Sequence, residues 1–469
     1  MTRNPGVPRL LRRLNDRSAL ELLISAGPLT RAELGERTGL SKVTAGQLLA
    51  RLEERGLVHV AGERASGRGP SAALYGVVPS SAHVAGLEVL PDAITVGVAD
   101  ITGRVVVEIV VDPAGGEDPV AAVHDAVQRA CASARITLGR LRSFVIGTRG
   151  VVDPGTGDVR FSYDLPAWHT GVLASLRRTL GASVTIENDV NLVALAEHRH
   201  GAAAGHDDFA VIWAGVGQGL GVMLNGRLHR GITGGAGEIG WLPVPGEPLP
   251  DDVSQPQSGS YQRLVGQRAL VELAREHGVL GRSGGAGGLA LPDGTDGGLV
   301  GGDDAGVLDL TGHFGGSGAV GVSARHDQAA GDLAGTRDAG ARAHADPSGL
   351  STGRSGGPAD HHGPVSVAGL IRAATSSGND GFLDAVAARL AVAVAAVSVV
   401  LDPGLIVLAG DIGKAGGAEL AARVEEAVAT ISPSRPSVVA TRVTGNPVLR
   451  GALVAALEQA REQVFSDTV

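Results

Sequence analysis

The chain of 469 residues contains one cysteine, Cys131. A disulfide framework is excluded, and so is a zinc site built on a cysteine cluster. Aromatic residues make up 3% of the sequence, so any core is built from Ala, Val and Leu. The first 13 residues hold no apolar stretch that reads as a secretory leader. The longest apolar run, Leu390 to Leu401, is shorter than the ~20 residues that a bilayer span needs. These absences lead to the expectation of a soluble, cytoplasmic protein with no membrane partner. The histidines His198, His200, His361 and His362 show no metal spacing, and they are expected to be solvated.

A chain this long exceeds one ordinary core, so two or three domains are expected. Net charge is -9, unevenly placed. Residues 1–75 carry 12 Lys and Arg against 7 Asp and Glu, a net +5, whereas the rest is net -14. A basic head on an acidic body suggests that the head alone meets a polyanion.

The head has a legible plan. Arg17 to Ala26 sets Leu20, Leu22, Leu23 and Ile24 on one apolar stripe, and Gly27-Pro28 stops that helix. Thr30-Arg31-Ala32-Glu33 has the form of a capping box, opening a short helix to Thr38 with Ala32 and Leu34 facing inward. Gly39 supplies a left-handed turn. Ser41 caps a third helix that runs to about Arg55 through Val43, Leu48, Leu49 and Leu52. Leu57 to Val60 and Ala73 to Val77 read as a β-hairpin around a polar tip with Arg64 and Arg68. This is the order of a winged helix-turn-helix, whose third helix enters the major groove by its N-terminal end. Ser41, Lys42, Thr44, Ala45 and Gln47 are therefore expected near base edges and phosphates, with Gln47 suited to an adenine edge and Lys42 to a phosphate or guanine. Arg64 and Arg68 are candidates for the minor groove or the backbone. The implied partner is a double-stranded DNA operator.

From about Val84 the pattern becomes strands alternating with helices. Three consecutive strands, a helix and further strands, repeated twice, predict an α/β fold of two lobes with a cleft, the actin-like or sugar-kinase plan. The segments Gly150-Val151-Val152-Asp153-Pro154, Asp164-Leu165-Pro166-Ala167-Trp168, Glu187-Asn188-Asp189, Gly215 to Gly221, Gly235 to Gly240 and Asp402 to Gly410 follow in an order that resembles the ROK family of repressors, open reading frames and kinases. The head resembles that of the family's repressor branch. The resemblance implies a ribonuclease H-like two-lobed domain over residues 81–469, behind a winged helix-turn-helix domain over residues 1–80. It also implies a sugar site: Asp189 where family kinases hold the general base, with Asn188, Glu238, Trp241, Asp164 and Gln262 as ligand-binding candidates.

The departures from the family's pattern bear on chemistry. Active kinases carry an Asp-x-Gly-Gly-Thr loop around the nucleotide phosphates; here the matching stretch is Glu88-Val89-Leu90-Pro91-Asp92. The glycines that let amides approach phosphate are missing, and Asp92 adds negative charge. The threonine of the second glycine turn is Val216, and the family's zinc-binding histidine is Trp241. The Gly-Cys-x-Glu tail reads Gly259-Ser260-Tyr261-Gln262. No metal, no cofactor and no catalytic residue are expected. Trp241 could stack on a sugar ring or fill the space of the lost zinc module. For Asn188 and Asp189, which precede a helix, the plainer role is N-capping.

Residues 281–364 hold 24 of the 72 glycines and few bulky apolar residues, so a disordered insertion within the second lobe is expected. The expected function is a non-enzymatic repressor, a homodimer or tetramer, controlled by a sugar or sugar derivative. Two alternatives stand beside it: a hexose kinase with a DNA-binding head, and a regulator whose pocket takes no ligand.

Overall fold

The computed structural model describes residues 7–65, 71–113, 118–162, 165, 168, 171–181, 183–250, 252, 253, 255, 258–280 and 366–466. The expected disordered insertion, the wing-tip residue Arg68, the site candidate Asp164 and the pair His361-His362 lie outside them.

The head comprises α1 (Val7–Ala26), β1 (Leu29–Thr30), α2 (Arg31–Thr38), α3 (Lys42–Glu54), β2 (Val58–Arg64) and β3 (Ala72–Val77). The capping box forms as the sequence predicts: the Thr30 hydroxyl accepts from the Glu33 amide, and the Glu33 carboxylate accepts from the Thr30 amide. Gly39 ends α2 in the left-handed region. Helix α1 begins well before Arg17, and the two-residue strand β1, unforeseen, pairs antiparallel with β3. Two apolar residues lie on the opposite face from the one expected. Ala32 is exposed, and the buried residues of α2 are Leu34 and Gly35. Val43 is 70% exposed, whereas Ala45, expected outward, forms the inner face of α3 with Leu48, Leu49 and Leu52. The buried carboxylate of Asp16 on α1 accepts from Arg51 of α3 at 2.7 Å, locking the two helices across the head.

The body repeats one arrangement. The first lobe has β4 (His83–Val89), β5 (Ile94–Asp100), β6 (Val105–Val111), α4 (Pro119–Ala134), β7 (Leu141–Thr148), the small hairpin β8 (Val151–Val152) and β9 (Val159–Phe161), α5 (Val172–Leu180) and β10 (Ser183–Asn188). Its sheet order is β10-β7-β4-β5-β6, with the first three strands parallel and the last three antiparallel. Helix α6 (Asp189–His200) leads to the second lobe. There β11 (Phe209–Ala214), β12 (Gln218–Leu224), β13 (Arg227–Leu228), β14 (Leu405–Ala409) and β15 (Ser437–Ala440) form a sheet of order β13-β12-β11-β14-β15. Strands β11, β14 and β15 are parallel, so the two sheets have the same pairing scheme. Around the second sheet lie α7 (Ser260–Val265), α8 (Gln267–Glu276), α9 (Val367–Ser377), α10 (Asp380–Leu401) and α11 (Gly410–Ile431). Gly266 separates α7 from α8.

Helix α10 is long and apolar enough to cross a membrane by length and composition. Its 22 residues exceed the run read from the sequence because small and polar residues continue the helix toward Asp380. Phe382, Leu383, Val386, Leu390 and Val394 are buried in the second lobe's core. His198 is packed rather than solvated, its ring stacked on Phe209 at 5.8 Å.

The last helix, α12 (Pro447–Ser466), packs against β4, β7 and α6. The approach is close because glycines face it: a Cβ on Gly86 of β4 would lie 2.8 Å from the Leu453 amide nitrogen, and one on Gly147 of β7 2.5 Å from a Val448 methyl. Gly451, on α12 itself, leaves room for the Leu192 carbonyl of α6; a Cβ there would sit 1.8 Å from that oxygen. The far end of α12 joins the head. Phe465 is buried in a cluster with Leu20, Leu23 and Leu49, and Arg55 Nη2 donates to the Val464 carbonyl at 2.8 Å.

Gly451→Ala is expected to destabilise the protein by at least about 2–3 kcal/mol, because backbone stands in the way of the new methyl. Gly139→Ala, which meets nothing within 4 Å, serves as the control with no change in urea midpoint. Equal midpoints for the two variants would contradict the close packing of α12.

Candidate functional site

Two regions gather the residues singled out in the sequence. The first is the outer face of α3. Ser41, Lys42, Thr44 and Gln47 are all exposed there, together with Val43. Ser41 is the N-cap: its hydroxyl accepts from the Thr44 amide at 3.2 Å and bonds the Thr44 hydroxyl at 2.8 Å. These hydroxyls therefore hold the helix start in shape as well as facing outward. Arg64, at the end of β2, is ion-paired with Glu33 of the capping box and so ties the wing to α2. The exposed methyls of Val43 add an apolar group of the kind that meets a thymine methyl.

The second region is a cavity of about 160 Å³ between the two sheets' glycine turns. Asn188, Asp189, Glu238, Trp241 and Gln262 all line it, so five of the six ligand candidates come together. They arrive from separate elements: the end of β10, the first turn of α6, a short 3-10 turn at Ile239–Trp241, and α7. Asn188 is the N-cap of α6. Its Oδ1 accepts from the Asn191 amide at 3.1 Å, and its Nδ2 donates to the Gly150 carbonyl at 3.0 Å. Gly150 has φ +98°, and a Cβ there would strike the Phe161 carbonyl, so only glycine serves that turn. Gln262 is buried, and its Nε2 donates to the Val216 carbonyl at 2.7 Å, tying α7 to the second glycine turn. Capping and tethering thus occupy polar atoms of two residues expected to meet a ligand.

Asp189 sits in the first turn of α6. Desolvation pushes its carboxyl up to about 7, against the opposing pull of Arg149 and of the Val190 amide, which donates to it at 2.9 Å. Glu238 and Glu88 raise it further. Burial also lifts Glu238 and Glu88 above the usual carboxylate range. Glu88 receives the side-chain amide of Asn446, the residue whose Oδ1 caps α12 by accepting from the Leu449 amide at 2.9 Å. Neighbouring Glu187 is buried and ion-paired with Arg230 at 2.7 Å, and it also accepts from the Asn191 side chain. Sequence reasoning missed Arg149, Gln218 and Asn446 on or beside this cavity. Only Asn446 had a local signal, an Asn directly before Pro447 at a helix start.

The stretch matching the kinase phosphate loop is a tight hairpin turn. The Leu90 amide donates to the Ala93 carbonyl at 2.9 Å, leaving Pro91 and Asp92 at the corner. Proline has no amide, and Asp92 carries the charge a phosphate would have to face. Among the described residues no three His, Cys, Asp or Glu side chains are grouped as a metal site.

A raised carboxyl makes stability fall with pH. Between its ordinary value near 4 and about 7, folded Asp189 keeps a proton that the unfolded chain gives up, so the destabilisation is complete only above that window. Asp189→Asn is expected to raise the urea midpoint more at pH 8 than at pH 5, both being about one unit or more from the extremes of that titration. The same gain at both pH values would remove Asp189 from this role.

Comparison with known proteins agrees with this architecture. Residues 84–279 match the ROK family and residues 13–69 the MarR family. The DNA-binding transcriptional dual regulator NagC of Escherichia coli K12 is 24% identical over 263 residues, which are 56% of this chain and 64% of NagC. The chain thus matches just under two thirds of that relative's length. The xylose repressor of Caldicellulosiruptor bescii is 24% identical over 275 residues, 58% of this chain and 68% of the repressor. The solved structure of a ROK family transcriptional regulator, a homologue of the E. coli MLC protein, aligns with TM-score 0.64 and 16% identity over 97% of this chain and 99% of that one. At that identity the likeness is one of fold. The chain thus carries a match to the ROK family over residues 84–279, behind a MarR-like winged helix-turn-helix head over residues 13–69, on the fold of a solved ROK family transcriptional regulator.

Proposed function

We propose that the protein is a cytoplasmic DNA-binding repressor, controlled by a sugar or sugar derivative held in the cleft without phosphate transfer. The observation that carries this is the β4–β5 turn. It closes on itself through Leu90 and Ala93 with Pro91 and Asp92 at its tip, while the sugar side keeps a cavity lined by Asp189, Glu238 and Trp241. A phosphate needs inward-pointing amides and positive charge, and this turn supplies neither. The regulators among its relatives support the same reading.

The head supplies the DNA contacts: Lys42 on phosphate or guanine, Gln47 on an adenine edge, and Ser41 and Thr44 at the helix start. Arg64 sets the wing's angle through Glu33, and Arg68 adds charge at the wing. An operator with two half-sites suits a homodimer or tetramer, since each head reads one half-site. The route from cleft to head is α12. Asn446 at its start holds Glu88, and Phe465 near its end is buried in the head. Its 20 residues span about 30 Å. A ligand that moves Glu88 or the lobe angle displaces this helix, and it shifts DNA affinity only as far as it favours one arrangement over the other.

A kinase reading is favoured by one observation: a carboxyl at about 7 on Asp189 suits a general base. An ATP-coupled assay over a hexose panel decides between them, and turnover above background would overturn the repressor-only reading. For the DNA reading, Lys42→Ala is expected to weaken binding to all sequences and lower the salt slope by about 1, whereas Gln47→Ala costs about 1–3 kcal/mol on the preferred site alone. The measurement is a gel-shift titration of the protein's own promoter region across salt concentrations. Binding that is insensitive to salt and to both substitutions would sink the assignment.

A further inference from the structure

The cleft's chemistry is one-sided. Among its described lining residues four carry carboxylates, Glu88, Asp189, Glu238 and Asp411, against one guanidinium, Arg149. Ionised carboxylates only accept hydrogen bonds. Gln218, on the same lining, extends the pattern. It is 8% exposed, its Nε2 is used on the Gly215 carbonyl at 3.1 Å, and its Oε1 is buried with no hydrogen-bond partner. A buried acceptor left unpaired is destabilising, so a ligand that brings a donor there relieves that loss.

We propose that this cleft selects a sugar bearing a protonated amine, with Glu88, Asp189 and the Oε1 of Gln218 receiving its donors. The proposal rests on the reading of the cleft as an effector site and names the chemical class of the effector. Three ligand classes separate on charge. A phosphorylated sugar would bring two negative charges toward Glu88 and Asp92, where no glycine loop offers amides. A neutral sugar supplies hydroxyl donors but leaves the carboxylate excess uncompensated. An ammonium group supplies three donors and a positive charge together, and hydrogen bonds between opposite charges are the stronger kind. Burial raises Glu88, Asp189 and Glu238 alike, so a cation placed among them favours their ionised forms. Glu88 is fixed for this task by the Asn446 amide, which also starts α12. Compensating the charge beside Glu88 therefore acts at the helix that reaches the head.

The experiment is isothermal titration of the full-length protein with glucosamine, galactosamine and mannosamine against glucose, N-acetylglucosamine and glucosamine phosphate. At least one free amine is expected to bind about tenfold more tightly than glucose and N-acetylglucosamine, with the phosphate weaker than its parent amine. Glu88→Gln keeps a partner for Asn446 and removes the charge. It is expected to lower amine affinity about tenfold while leaving glucose within about threefold. Gln218→Leu, which removes the acceptor at another point of the cleft, is expected to weaken the amine as well. If a neutral or phosphorylated sugar binds as tightly as every amine, the proposal fails and the effector reading stands. If no sugar of any class binds, both fall.

Discussion

The close seating of α12 against β4, β7 and α6 is the constraint on which the rest of the structure depends. It requires glycine at 86, 147 and 451, because each of these positions faces backbone or a branched side chain at less than a Cβ contact distance. The helix thereby touches the first lobe's sheet, the helix leading to the second lobe, and the head. Its polar start completes the link, since Asn446 both caps it and holds Glu88. A single rigid element thus has one end beside the cleft and the other in the head's core.

Among the described residues, the cleft between the glycine turns is lined by four carboxylates and one guanidinium. Turns that approach phosphate in kinases are here closed by their own backbone or by tethers: Leu90 to Ala93, Gln218 to Gly215, Gln262 to Val216. With the Leu90 backbone amide and the two glutamine side-chain amides spent on these carbonyls, the carboxylates set the potential. Arg149 offsets part of it, lowering both Glu88 and Asp189, but burial dominates and all three central carboxyls lie above their usual range.

Much of this was legible in the sequence. The capping box at Thr30, the αL turn at Gly39 and the cap at Ser41 are local devices, settled by neighbours within four residues, and all three form as read. The succession of strands and helices in the body followed from alternating strand and helix patterns, whereas the order of strands within each sheet came from the structure. The inner and outer faces of short helices were less legible. Ala32 was placed inward on apolar character and Ala45 outward from its place in the first turn of α3, yet in helices of 8 and 13 residues the buried face is decided by which neighbours arrive, here α1 and the β2–β3 hairpin. Likewise α11 and β15 carry too little periodic contrast to be read alone, because small residues such as those of α11 satisfy either face.

By itself the sequence determined the two architectures, the start of α3 with its exposed Ser41, Lys42, Thr44 and Gln47, and a stretch from Glu88 to Asp92 without glycine. Each rests on residues close together in the chain, whose chemistry needs no distant partner to be interpreted. Only the tertiary structure decided that Asn188 and Gln262 spend polar atoms holding the site together, and that Arg149, Gln218 and Asn446 belong to it. It also decided that Glu88, Asp189 and Glu238 share one desolvated space. Hydrogen-bond partners and desolvation depend on what lies across a cleft, and the residues across this one are separated by up to several hundred positions in the chain.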